Sequence, residues 1–144
     1  MTVAQILTRK GSAVITVAPS ETLHGVVDLL AKNRIGAVVV LDGKGGLAGI
    51  VSERDVVRAL SQHGGGAMGK TVAEIMTKKV RTCTPQDTEG ELMGLMTEHR
   101  IRHLPVLEGG KLAGMISIGD VVKLRIESIE REAEEMKSYI ASAG

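Results

Sequence analysis

The chain has 144 residues, enough for one domain of ordinary size with a substantial core. Its 18 Lys and Arg residues and 17 Asp and Glu residues leave a net charge of +1, which gives no electrostatic case for nucleic acid or an anionic membrane surface as a partner. The sequence has no apolar run of the ~18 residues that a membrane span needs, and no secretory signal pattern. Together with a single cysteine, Cys83, these features predict a cytoplasmic protein.

The sequence pattern of the first half predicts a leader helix, an extended segment, a helix, two strands and a closing helix, in that order. VAQILTRK (3–10) is the leader and TVAPSET (16–22) the extended segment, with Pro19 opening the next helix and Ser20 as its cap. The strands GAVVVL and LAGIVS follow, separated by the Gly-rich turn DGKGG. The first long helix has one apolar face, because helical spacing places five apolar residues on the same side: Leu23, Val26, Val27, Leu30 and Ala31.

The second half repeats these elements in the same order. VAEIMTKK (72–79) matches the leader, and TCTPQDT (82–88) matches the extended segment. GMISIGDVVKL (114–124) shares five of its eleven residues with GIVSERDVVRA (49–59). The offset between the halves falls from 69 to 66 to 65 residues, with the slips in Gly-bearing turns. Such drift is expected of a duplicated unit, because loops tolerate insertions.

The sequence therefore predicts an α+β protein of two β-α-β-β-α repeats with a C-terminal helix. The predicted boundaries are 1–62 for repeat 1, 63–70 for a flexible Gly-rich linker, 71–125 for repeat 2 and 126–144 for a helical extension. Neither repeat of roughly 60 residues buries a generous core alone, so the two should pack sheet to sheet about a pseudo-two-fold axis. Two equivalent clefts would then lie between them.

Each repeat has a Ser-x-x-Asp sequence where its last strand leads into its last helix. One interpretation of Ser52–Asp55 and Ser117–Asp120 is helix capping alone, with Ser at the N-cap and the acid bonding back to the backbone. The other is ligand binding, because a helix N-terminus favours a phosphate and an ionised Asp accepts both hydroxyls of a ribose. The two interpretations are compatible.

The duplicated phrases, the sequence RHLPV (102–106) and the order of elements resemble a tandem pair of CBS domains, the module named after cystathionine β-synthase. The resemblance covers about residues 3–125. It implies a regulatory module that binds AMP, ADP or ATP, or NAD(H), with S-adenosylmethionine less favoured, and that catalyses nothing. It also implies a homodimer and a separate effector protein that responds to ligand occupancy.

The resemblance further implies clefts built from both repeats, with each Asp holding the ribose, each Ser near a phosphate, and Ile50 and Met115 against the adenine. The first cleft would contain Ser52, Arg54, Asp55, Thr82, Arg102, His103, Leu104 and Pro105. The second would contain Ser117, Asp120, Thr16, Ile35, Gly36, Ala37 and Val38. Because Arg54, Arg102 and His103 all fall in the first set, we expect the first cleft to be the better phosphate binder.

GGGAMGKT (64–71) matches the P-loop pattern G-x-x-x-x-G-K-[ST]. The pattern requires a buried strand before it and a long helix after it, whereas the preceding residues have helical spacing and the following helix is short. A flexible linker is therefore favoured over the alternative function of a small P-loop NTPase. The four His residues and Cys83 have no metal-ligand spacing, and no nucleophile–base arrangement is evident.

The C-terminal segment extends past the repeats and has apolar residues in the 4-3-4-3-4 spacing of a coiled-coil seam. These residues are Val122, Ile126, Ile129, Ala133, Met136 and Ile140. The alternatives are that this stripe packs on its own module or that it contacts a second chain, and the length of the helix favours the second chain. A ligand-free dimerisation scaffold is a further alternative for the function of the whole protein.

Overall fold

The computed structural model describes residues 1–143, which form two repeats of similar architecture joined by a short helical connection. In repeat 1 the order is α1 (Val3–Lys10), β1 (Thr16–Val17), α2 (Leu23–Asn33), β2 (Ala37–Leu41), β3 (Leu47–Ser52) and α3 (Glu53–His63). In repeat 2 it is α4 (Val72–Ile75), α5 (Glu89–His99), β4 (His103–Glu108), β5 (Lys111–Ser117) and α6 (Ile118–Ala143). The prediction of an α+β protein with two repeats and a C-terminal helix is confirmed.

The two sheets share their antiparallel hairpin but differ in their first strand. Ala37 pairs with Ser52 at the start of the β2–β3 hairpin, and His103 pairs with Ser117 at the same place in the β4–β5 hairpin. In repeat 1, β1 adds a parallel strand beside β2. In repeat 2 the extended segment is reduced to a single parallel bridge between Cys83 and Val106.

Pro105 explains why the second sheet lacks a full first strand. In repeat 1 the amide of Val39 donates a hydrogen bond to the Ile15 carbonyl at 3.2 Å and so anchors β1. Pro105 occupies the position equivalent to Val39 and has no N–H to donate. Only the bonds through Cys83 remain, to the Pro105 carbonyl at 3.0 Å and from the Leu107 amide at 2.9 Å.

The long helices begin later than the sequence predicts. Thr22 caps α2 by accepting a hydrogen bond from the Gly25 amide, and Thr88 caps α5 in the same way, so Ser20 is not the cap. The backbone around Pro19 has another role: the carbonyls of Pro19 and Glu21 accept hydrogen bonds from the first amides of α4. Residues 18–21 therefore form a turn that binds the leader of repeat 2, and the helix starts after it.

Each leader helix packs on the opposite repeat. Val3 and Ile6 of α1 belong to the core of repeat 2, together with Leu92, Leu104 and Ile116. The core of repeat 1 in turn includes Val72 and Ile75 of α4 beside the buried Val residues of β2 and β3. The two repeats thus complete each other's cores, which supplies the burial that a unit of roughly 60 residues lacks.

The connection between the repeats is an ordered 3₁₀ helix (Gly64–Gly69) rather than a flexible linker. The Ala67 side chain anchors it, because it is fully buried in the core of repeat 1. Helix α3 precedes this segment where a P-loop needs a buried strand, and the four-residue α4 follows it. The segment therefore lacks the strand–loop–helix framework of a phosphate-binding P-loop, and the NTPase alternative is not supported.

Helix α6 is one continuous helix of 26 residues that serves as both the closing helix of repeat 2 and the predicted extension. Val121 and Leu124 near its start are buried in the core of repeat 2, while every residue from 129 to 143 is exposed. No helix within residues 1–143 combines the length and the apolar content needed to cross a bilayer.

Candidate ligand-binding clefts

Both Ser-x-x-Asp sequences form capping boxes at the N-terminus of a helix. The Ser52 amide donates to Asp55 Oδ2 at 2.8 Å, and the Asp55 amide donates to Ser52 Oγ at 3.4 Å. The corresponding bonds between Ser117 and Asp120 measure 2.8 and 3.3 Å. Capping therefore operates in both repeats, and ligand binding depends on what else surrounds each carboxylate.

Asp55 is enclosed by protein partners on both of its carboxylate oxygens. Oδ2 receives the Ser52 amide and hydroxyl, while Oδ1 receives the Arg58 guanidinium and the Thr77 hydroxyl, the latter at 2.8 Å. The residue is only 3% exposed. A ribose can reach this carboxylate only if Arg58 or Thr77 moves away.

Asp120 is more open than Asp55, although it occupies the equivalent backbone position. Its three hydrogen bonds, from the Ser117 amide, the Ser117 hydroxyl and Lys10 Nζ, all go to Oδ2. Oδ1 makes no hydrogen bond to any residue within 1–143 and remains available to a ligand. Burial raises the pKa of Asp120, but the hydrogen bonds from Lys10 and Ser117 outweigh it and hold the pKa below its ordinary 3.8. The carboxylate is therefore ionised at neutral pH.

A cavity of about 500 Å³ lies beside Ser117, between the two repeats. It combines residues from α1 and the following loop, from the end of α2 and the start of β2, and from the β4–β5 hairpin. Its lining is Lys10, Ala13, Val14, Ile15, Asn33, Arg34, Ile35, Gly36, Ala37, His103, Met115 and Ser117. Both repeats contribute, as predicted for the second cleft, and the walls are aliphatic with a cationic rim.

His103, which the family resemblance assigned to the first cleft, lines the cavity of the second cleft. The reason is strand pairing: His103 is the direct antiparallel partner of Ser117, so both side chains lie on the same face of the hairpin. Burial lowers the pKa of His103 below its ordinary 6.5, and Glu53 opposes this effect only in part. The imidazole is thus neutral at pH 7, a hydrogen-bonding group rather than a cation.

Five of the residues assigned to the second cleft line the cavity: Ile35, Gly36, Ala37, Met115 and Ser117. Two others do not. Val38 is fully buried in the core of repeat 1, because side chains alternate along β2. The cavity wall at β1 is formed by Ile15, whereas Thr16, which the sequence had assigned to the cleft, is not among its lining residues.

The residues assigned to the first cleft are largely occupied by other contacts. Arg54 donates from Nη1 to the Arg100 carbonyl at 3.0 Å and so crosses to repeat 2. Ile50 pairs through its backbone with Thr77, and Leu104 and Pro105 are buried. Arg102 is exposed, and its carbonyl accepts the Ile118 amide, while Thr82 lies beside the bridge at Cys83.

Lys10, Asn33 and Arg34 are the polar cavity residues that the sequence analysis missed. Lys10 lies on the leader of repeat 1, and only the exchange of leaders brings its ammonium to Asp120 and to the Met115 carbonyl, 2.9 Å away. Arg34 ends α2 in the left-handed conformation, as Arg100 ends α5. Arg34 and Arg100 occupy the same position in the two repeats, and this match was the one signal in the sequence that could have identified Arg34 as a cavity residue. Residues 1–143 contain no group of three metal-ligating side chains.

Comparisons with known proteins agree with this architecture. The CBS domain family model matches residues 3–62 and 72–127. The CBS domain-containing protein CBSX3, mitochondrial, of Arabidopsis thaliana is 32% identical over 147 residues, covering 96% of this chain and 71% of its own length. The CBS-domain containing protein ATU1752 from Agrobacterium tumefaciens is 45% identical with a TM-score of 0.84, covering 86% of this chain and 92% of its own.

A third similar structure contains ligands. It is the CBS domain pair of protein MJ0100 in complex with 5′-methylthioadenosine and S-adenosyl-L-methionine, which is 25% identical with a TM-score of 0.79 and covers 89% of this chain and 98% of its own. The fold and the cavity between the repeats define a regulatory module made of two α+β repeats. The chain belongs to the CBS domain family, with one domain in each half.

Proposed function

We propose that this chain is a sensor that binds an adenine nucleotide in the second cleft, without turnover, and communicates its occupancy to a partner protein. The observation that carries the proposal is the cavity of about 500 Å³ that both repeats line. Ser117 and Lys10 line it, and both donate hydrogen bonds to Asp120 Oδ2. The adenosine ligands of the MJ0100 domain pair support an adenosine-containing ligand here.

Charge favours a phosphorylated ligand over an uncharged adenosine. Lys10 and Arg34 lie at the cavity, and the N-terminus of α6 adds partial positive charge. Asp120 Oδ1 would accept the ribose hydroxyls, and aliphatic residues such as Ile15 and Met115 would hold the base. We therefore favour AMP, ADP or ATP, with NAD(H) as a longer ligand of the same kind, and we rank S-adenosylmethionine lower because its sulfonium is positive.

We propose that the second cleft fills before the first. Within residues 1–143, Oδ1 of Asp120 is free to accept a hydrogen bond from a ligand, whereas Asp55 must first lose a hydrogen bond from Arg58 or Thr77. This order reverses the expectation from sequence, which counted His103 and Arg54 as phosphate ligands of the first cleft.

The signalling step would be a population shift. A ligand in the second cleft contacts the start of β2 in repeat 1 and the β4–β5 hairpin in repeat 2, so it favours the relative orientation of the repeats that makes both sets of contacts. A partner that binds that orientation would respond to the ligand. We further propose that the module acts as a homodimer, as the family resemblance implies.

The test is a thermal-shift and calorimetry panel of AMP, ADP, ATP, NAD, NADH, S-adenosylmethionine and adenosine. The wild type is compared with Asp120→Asn, and with Asp55→Asn as the matched control. We expect nucleotides to stabilise the wild type by about 2.7 kcal/mol at a hundred times Kd. Asp120→Asn should weaken binding about tenfold or more, while Asp55→Asn lowers the ligand-free melting temperature but keeps the ligand-induced shift.

The alternative outcomes separate the competing functions. If no compound in the panel shifts the wild type, the sensor proposal fails and the dimerisation scaffold is favoured. If Asp55→Asn abolishes binding and Asp120→Asn does not, the order of filling is wrong. Hydrolysis of ATP that disappears on Lys70→Ala would restore the P-loop alternative.

A further inference from the structure

Helix α6 has two separate apolar faces, and only one of them packs on the module. Val121 and Leu124 are buried against repeat 2, and Glu127 and Ser128 on the same side contact Arg9 and Glu89. The other face carries the apolar stripe, whose large members are all between 44% and 63% exposed. The stripe consists of Val122, Ile126, Ile129, Ala133, Met136 and Ile140.

The exposed stripe requires a partner for energetic reasons. Residues 129 to 143 are all exposed and lie beyond the last hydrogen bond from α6 to repeat 2. A helical segment of about 15 residues is marginal in water unless its apolar face is covered. A continuous stripe of six apolar residues is also unlike the scattered single apolar residues of an ordinary surface. Packing on its own module is ruled out for this face by its exposure.

The charges beside the stripe identify the partner. In the heptad notation abcdefg, Ile126, Ala133 and Ile140 are a positions, and Val122, Ile129 and Met136 are d positions. In a parallel pair each g residue faces the e residue of the next heptad on the other helix. Arg125 would then face Glu130 of the second copy, and Glu132 would face Lys137, so both pairs join opposite charges.

We propose that α6 forms a parallel two-stranded coiled coil with α6 of a second copy of this chain. The inference deepens the proposed homodimer by giving its seam, register and direction, and it does not depend on nucleotide binding. Lys137 lies 3.6 Å from Glu134 of its own helix, but both side chains are about three-quarters exposed. Such an exposed pair is weak, so it does not prevent a contact across the seam.

The first experiment measures the mass of the full chain by light scattering over a range of concentrations, without nucleotide. We expect twice the chain mass of 15.2 kDa. Ile129→Asp on the seam should weaken the dimer about tenfold or more, whereas Arg131→Asp, on the opposite face of the same turn, should not. Both residues are exposed, and circular dichroism of each variant confirms that the module is folded. A monomeric wild type, a trimer, or equal effects of the two variants would overturn the proposal.

The second experiment tests direction by disulfide formation. Cys83 is 2% exposed, and burial, assisted by Asp87, raises its pKa to about 12, so an introduced cysteine is the only reactive thiol. Ile140→Cys should cross-link rapidly in a parallel seam, because the two a positions adjoin. In the antiparallel arrangement that places residue 140 opposite 122 the two thiols would be about 27 Å apart. Ser138→Cys, pointing away from the seam, is the control, and equal cross-linking of the two variants would overturn the parallel assignment.

The third experiment tests the charge pairs. Glu132→Lys places two lysines opposite each other in both symmetric contacts and should weaken the dimer in low salt. Adding Lys137→Glu restores opposite charges only if the two positions face each other across a parallel seam. Failure of the double variant to recover the wild-type affinity would contradict the proposed register.

Discussion

At the scale of single residues, two aspartates at equivalent positions of the two repeats have different environments. Asp55 and Asp120 each accept a hydrogen bond from the amide of the serine three residues earlier, in a capping box. The local sequence therefore does not distinguish the two carboxylates. Arg58 and Thr77 close the first, and Lys10 alone bridges to the second. Arg58 follows Asp55 by three residues on α3, but Thr77 and Lys10 come from the leader segments of the two repeats. The packing of those leaders is not specified by the Ser-x-x-Asp sequence, which is why the more accessible carboxylate could not be predicted from it.

Lys10→Met tests the ion pair at this scale. The pKa of Asp120 lies below 3.8, so its pairing stabilises the fold above that pH and the benefit is lost as the pH falls through the lowered value. Since Lys10 and Asp120 are both partly exposed, we expect the variant to lose only about 0.5–1 kcal/mol at pH 7. Urea unfolding at pH 7 and at pH values well below 3.8 should show a difference that disappears in acid.

Lys10→Arg is the control for that experiment, because it keeps the positive charge. It should retain most of the wild-type stability at pH 7. If Lys10→Met is equally destabilised at every pH, the side chain acts through packing of its aliphatic stem, and the electrostatic account is incorrect.

At the scale of elements, Gly49 and Gly114, which begin the repeated segments GIVSERDVVRA and GMISIGDVVKL, allow a leader to pack closely on a strand. A Cβ built on Gly49 would lie 2.6 Å from Met76 Sδ and 2.9 Å from the Thr77 carbonyl oxygen. A Cβ built on Gly114 would lie 2.7 Å from a methyl group of Leu7. The repeated glycine is therefore explained by close approach of the α4 segment to β3 and of α1 to β5.

Alanine at these two glycines should have unequal effects. Gly49→Ala meets backbone that is itself paired to Ile50, so we expect a loss of about 1–3 kcal/mol from overpacking. Gly114→Ala meets only the end of a flexible leucine side chain, so we expect a smaller loss. Chemical denaturation of the two variants measures the difference, and a larger loss for Gly114→Ala would contradict this explanation.

At the scale of the whole molecule, the two halves of the sequence are not the two packing units. Ile6 of the first leader lies in the core of repeat 2, and Ile75 of the second leader lies in the core of repeat 1. The exchange also builds the second cleft, because α1 carries Lys10 to Asp120 and Arg9 to Glu127, the latter at 2.6 Å. The cavity and the cores therefore depend on the same contacts.

Ile6→Ala and Ile75→Ala form a matched pair that tests this exchange. Each removes a buried leader side chain and should cost about 2–5 kcal/mol. Native-state hydrogen exchange should become faster mainly in β4 and β5 for Ile6→Ala, and mainly in β2 and β3 for Ile75→Ala. Faster exchange of β2 and β3 in Ile6→Ala, or equal acceleration of all strands in both variants, would show that the leaders do not belong to opposite units.

The sequence by itself determined the two repeats, the order of their main helices and strands, and both capping boxes, because these follow from local periodicity and from residues three positions apart. The family resemblance also assigned Met115, Ser117 and the Ile35–Ala37 segment to one cleft, and these residues line the cavity. Only the tertiary structure decided that His103 joins Ser117, that Lys10 reaches Asp120, and that residues 64–69 form an anchored helix. Strand register, leader exchange and the burial of Ala67 are contacts between residues distant in sequence, and no local pattern specifies them.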